Sequence, residues 1–141
     1  MDTTTDKLLK ELKKAKDLDV FLESNNDVVD MLSLPDYLSQ LLEEKGMSRA
    51  EVIAATELSS AYGYQVFSGE RSPSRESVLQ LGIGLKLNDE EMQQLLAHAR
   101  KGSLYPRDRR DCVILYACRK GMNLQQVNEL LFERDLPMLN S

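Results

Sequence analysis

The run Ser48-Arg49-Ala50-Glu51-Val52-Ile53-Ala54-Ala55-Thr56-Glu57-Leu58-Ser59-Ser60-Ala61-Tyr62-Gly63-Tyr64-Gln65-Val66-Phe67-Ser68-Gly69-Glu70-Arg71-Ser72-Pro73 contains two helix beginnings eleven residues apart. Ser48 and Glu51 have the spacing of a capping box, in which each side chain satisfies the other's orphan backbone N–H. A short helix is therefore expected over residues 48–56. A tight turn around Glu57-Leu58 follows, and Ser59 caps a second helix that ends near Gly69. Val52, Ile53, Leu58, Val66 and Phe67 form the inward set that joins the pair. Ala54, Ala55, Ala61 and Gly63 are the small residues expected where the helices cross.

The same grammar extends in both directions. Ser33-Leu34-Pro35 opens a helix through Tyr37, Leu38, Leu41 and Leu42 that Gly46 stops. Pro73-Ser74 opens one through Val78, Leu79, Leu81 and Leu85. Asn88-x-x-Glu91 is a second capping-box pattern, ahead of Met92, Leu95 and Leu96, and Asn123-x-x-Gln126 a third, ahead of Val127, Leu130 and Leu131. Pro106 is expected to open another helix through Val113, Ile114, Tyr116 and Ala117. Upstream, Leu8, Leu9, Leu12 and Ala15 recur at helical spacing and predict an amphipathic helix over residues 5–16. Val20, Phe21 and Leu22 then run into the turn-rich Ser24-Asn25-Asn26-Asp27. Almost nothing reads as strand, so an all-α chain of seven or eight short helices is expected. Lys45-Gly46-Met47-Ser48-x-x-Glu51-Val52 returns as Lys120-Gly121-Met122-Asn123-x-x-Gln126-Val127, 75 residues on. That is either a degenerate half of the central motif or a coincidence of capping chemistry.

Composition bounds the function. The 141 residues are 42% hydrophobic and 29% charged, a globular mixture. No apolar run approaches the ~18 residues of a membrane span, and the acidic, polar start is not a secretory signal. A cytoplasmic protein without membrane contact is expected. Cys112 and Cys118 are too few for a disulfide scaffold or a four-ligand zinc site, and both are expected in the core. His98 has no metal-binding companion, and no cofactor is expected. Gly82-Ile83-Gly84 lacks the strand and following helix of a phosphate-binding loop, so its glycines are read as allowing close helix packing. Nothing resembles a catalytic site, and no enzymatic activity is expected.

The net charge is -5, but unevenly placed. Residues 1–44 are net -6, residues 45–99 net -2 and residues 100–141 net +3. In the last block Arg100, Lys101, Arg107, Arg109, Arg110, Arg119 and Lys120 stand with only Asp108 and Asp111 near them in sequence, which read as local ion-pair partners. This patch suits phosphate or an acidic protein surface.

Residues 34–96 resemble the lambda-repressor-like helix-turn-helix proteins, often called the XRE family. The resemblance rests on Ser48-x-x-Glu51-Val52-Ile53, Leu58-Ser59, Tyr64-Gln65-Val66-Phe67-Ser68-Gly69-Glu70-Arg71-Ser72-Pro73-Ser74, and Leu79 and Leu81. Leu104-Tyr105-Pro106-Arg107, Arg109-Arg110-Asp111 and Asn128-Glu129-Leu130-Leu131 are similar to bacterial members with a C-terminal helical extension. The implied organisation is an N-terminal helical extension over 1–30, a five-helix DNA-binding domain over 31–99 and a C-terminal helical extension over 100–141. The implied partner is double-stranded DNA, bound by a homodimer, with a recognition helix about 59–68 in the major groove.

Under that resemblance Ser59, Ser60 and Tyr62 lead the recognition helix, and Gln65, one turn on, can pair bidentately with adenine. Arg49 stands where the family commonly places a phosphate contact. Ser68 and Arg71 fall in the following loop, and Arg75 could reach phosphate from the next helix. The departure is charge: residues 59–67 contain no Lys or Arg. An alternative is therefore the same fold as an interaction module, antitoxin-like or adaptor-like, docking a protein partner through exposed tyrosines, the N-terminal helix or the C-terminal extension.

Overall fold

The computed structural model describes residues 3–24 and 32–140, and those residues form helices and connecting turns with no strand among them. The chain divides into two units, one ending at Leu32 and one beginning at Ser33.

The first unit contains α1 (Thr3–Lys14) and α2 (Leu18–Ser24). α1 is the expected amphipathic helix. α2 replaces what reads as a run into a turn: Asp17 Oδ1 accepts the Val20 N–H at 3.2 Å and caps it. The turn expected at Asn25-Asn26-Asp27 lies outside the described residues.

The second unit holds α3 (Leu34–Lys45), α4 (Arg49–Ala54), α5 (Ser60–Ser68), α6 (Arg75–Gly84), α7 (Asp89–His98), α8 (Arg109–Lys120) and α9 (Leu124–Glu133). α3 packs on α5 and α7, α4 on α5 and α6, and α6 on α7. The α8–α9 hairpin closes over α7 and α6. Leu38, Val52, Leu79, Leu95, Ile114, Val127, Leu131 and Leu139 all belong to one buried core. Residues 100–140 thus share the core of residues 33–99.

One link recurs along this unit. Gly46, Lys86 and Gly121 adopt left-handed φ of 64°, 59° and 70°. The next residue's N–H returns to a carbonyl five residues back: Met47 to Leu42, Leu87 to Gly82, Met122 to Ala117. A capping box follows each time, Ser48 with Glu51, Asn88 with Glu91 and Asn123 with Gln126. The 75-residue repeat is therefore a repeated helix–link–helix: shifting α3 by 75 residues gives the bounds of α8, and the same shift carries the start of α4 onto that of α9. After α9 the chain turns at Asp135, φ 57°, and no helix follows among the described residues.

Three sequence expectations need correction. α8 begins at Arg109 with Asp108 as its cap, not at Pro106, because the Asp108 carboxylate accepts the Asp111 N–H at 2.9 Å. Cys112 faces outward and only Cys118 is buried. Burial pushes the Cys118 thiol up to about 12, with Asp89 adding to the shift. Of the small residues expected at the α4–α5 crossing, Gly63 is there, against Ile53, whereas Ala54, Ala55 and Ala61 are exposed. Gly84 has the tighter role. A Cβ on it would stand 2.9 Å from the Val52 carbonyl oxygen, so α6 crosses α4 at backbone contact.

Candidate nucleic-acid interface

α4 and α5 are short, and their geometry is set mostly by caps and by the turn between them. Ser48 Oγ accepts the Glu51 N–H at 3.1 Å, and Glu51 returns a carboxylate oxygen to the Ser48 N–H at 2.9 Å. In the turn, Thr56 Oγ1 donates to the Ile53 carbonyl and accepts the Leu58 N–H. Gln80, buried on α6, accepts the Glu57 N–H on Oε1 at 2.9 Å. Its Nε2 has no partner among the described residues. Ser59 Oγ then accepts the Tyr62 N–H at 3.2 Å to start α5, and Gly69, φ 89°, ends it.

α5 buries Gly63, Val66 and Phe67. Its opposite side is an outward stripe of Ser60, Ala61, Tyr64 and Ser68, all exposed, with Gln65 half-buried at its edge. The Gln65 amide makes no hydrogen bond to a described residue. A shallow groove between Ala50, Ala54, Ser60 and Tyr64 separates this stripe from α4. Arg49 is exposed at the first turn of α4, and Arg71 is exposed in the loop after α5. Ser59 is engaged as a cap, and Ser68 Oγ donates to the Gln65 carbonyl at 3.1 Å.

Two of the candidate residues point elsewhere. Tyr62 is half-buried and packs against the core, and its hydroxyl donates to Ser77 Oγ at 3.1 Å. It ties α5 to α6 instead of leading the exposed face. Arg75 is engaged within the chain through Nε and Nη2. Nε donates to the Gly102 carbonyl at 2.9 Å, and Nη2 donates to the Ser103 carbonyl at 2.9 Å and to Asp111 Oδ2 at 3.2 Å. A guanidinium holding two carbonyls and a carboxylate is a clamp, and only Nη1 is left to offer a phosphate.

The basic patch is thinned in the same way. Arg110 forms a bidentate pair with Glu76, at 2.9 and 2.7 Å, and donates also to the Pro137 and Met138 carbonyls. The Arg110 hydrogen bonds hold the Glu76 carboxyl below the usual carboxylate range, against the opposing effect of burial. Arg119 pairs with Asp89 at 3.0 Å. Asp108 and Asp111 are therefore not partners of the neighbouring arginines: one caps α8, and the other meets Arg75 and the Tyr105 N–H. Gln93 completes this side, its amide pairing with both the N–H and the carbonyl of Leu104 at 2.8 Å. Apart from the Asp108 cap and the Tyr105–Asp111 contact, these partners lie 11 to 36 residues apart, beyond the reach of helical periodicity or capping patterns.

No protein-family model matches the chain, and neither a curated protein nor a solved structure matches it.

Proposed function

We propose that this chain is a sequence-specific double-stranded-DNA-binding regulator of the lambda-repressor-like class, acting as a symmetric dimer. α5 would enter the major groove, with α4 across the backbone. The observation that carries the reading is the outward stripe of α5. A rigidly capped, two-and-a-half-turn helix presents Ser60, Tyr64 and the unengaged amide of Gln65, flanked by the exposed cations Arg49 and Arg71. An amide of this kind reads adenine, and a tyrosine ring packs on sugar or thymine methyl groups. Ser59 and Tyr62 support the helix from within.

The electrostatics favour a second reading, a protein-docking module. With Arg75 withdrawn, Arg49 and Arg71 stand against Glu51, Glu57 and Glu70 on the same stretch, and duplex affinity depends on neutralised phosphates. Selection of the purified protein from a random duplex library at roughly 50 and 150 mM salt separates the two. Enrichment of a palindrome that persists at the higher salt supports the regulator. Absence of duplex binding at both salts overturns it in favour of the docking module.

A further inference from the structure

What Arg75 grips is itself cationic. Its guanidinium fixes Gly102 and Ser103 against the first turn of α6, and Asp111 and Gln93 fix Tyr105 and Leu104 behind them. The segment so held carries Arg107 and Arg109. Both are exposed, and neither is paired with a described residue. The acidic side chains among them are already engaged, Asp108 on the α8 cap and Asp111 on Arg75 and the Tyr105 N–H. The start of α6 is also where the loop carrying Arg71 arrives from the end of α5.

We infer that residues 102–109 form a second phosphate-contacting element, with Arg107 and Arg109 meeting the duplex backbone beside the groove that α5 enters. This rests on the DNA-binding reading above. Arg75 is then a positioning residue: it gives up its own phosphate contact and sets two cations in place of one. The arrangement answers the shortage of positive charge on α4 and α5.

The test is the salt dependence of binding to the selected duplex by the full-length protein, its Arg107→Ala/Arg109→Ala variant and a Lys86→Asn/Lys120→Gln control. Lys86 lies two residues past the end of α6 and Lys120 is the last residue of α8, so the control removes the same charge at the opposite ends of these helices. Each lost phosphate contact flattens the slope of log affinity against log salt by about 0.9, so the double variant should lose nearly two units at unchanged sequence preference. The control should keep the parent slope. A double variant with the parent slope, or one matched by the control, overturns the inference and leaves the DNA-binding reading standing. Failure of the parent protein to bind any duplex overturns both.

Discussion

Gln65 and Glu76 are polar side chains on successive helices with opposite fates. Gln65 keeps an unengaged amide at the edge of an exposed stripe. Gln65→Ala should therefore weaken binding to the selected site by about 1–3 kcal/mol and relax preference at one base pair, with no change in thermal stability. Competition binding with single-base variants of the site checks this, and unchanged selectivity would count against direct readout. Glu76 is engaged by Arg110, which lowers its folded-state pKa below the unfolded value. A depressed carboxylate stabilises the fold above the unfolded pKa, and that contribution disappears as pH falls through the carboxylate range. Melting temperature followed from about pH 7 to 3 should fall less steeply for Glu76→Gln than for the parent. The slope should not vanish, because Glu91, held low by the Asn88 N–H and by Lys45, titrates in the same direction.

Among the elements, the link of left-handed residue, apolar residue and capping box explains how much of the fold is legible in the sequence. Ser48, Ser59, Asn88 and Asn123 mark four helix starts because a cap is a contact between residues three apart, fully encoded in a local string. α2 escaped for lack of a box: Asp17 caps it alone. The start of α8 escaped because Pro106 is a stronger sequence signal than Asp108. The site was legible only as far as α5 itself. Which side chains of the α5–α6 region face solvent depends on partners as distant as Ser103 and Asp111, so Tyr62 and Arg75 look available in sequence and are not. The glycines separate local from tertiary roles. Gly121→Ala meets open space and should cost only its left-handed backbone, about 1 kcal/mol. Gly84→Ala must displace α6 from the Val52 carbonyl and should cost about 1–3 kcal/mol. Denaturant midpoints at constant m-value measure both.

At the scale of the whole molecule, the boundary that matters is the one at Ser33. A fragment of residues 33–141 should unfold cooperatively, since α3–α9 bury one core without needing α1 or α2. A fragment ending at residue 101 should not. It would strip Leu104, Ile114, Val127, Leu131 and Leu139 from that core and leave Arg75, Glu76 and Gln93 without their partners. Circular dichroism melting of the two fragments checks this, and a cooperative transition in the shorter one would show the 100–140 hairpin to be an accessory.

The contrast between six-residue links and clamps across some thirty-five residues sets an order in time. Helix pairs joined by the links can close in microseconds, whereas Arg110 can meet Glu76, Pro137 and Met138 only after α6, α8 and the residues beyond α9 have come together. An interaction made after the rate-limiting crossing leaves the refolding rate untouched and governs how fast the native state is lost. Arg110→Ala should leave the folding arm of a chevron plot in place and raise its unfolding arm. Stopped-flow fluorescence of the tyrosines would record it. The arginine clamps would then serve as the latch on the native state, closed last and released first.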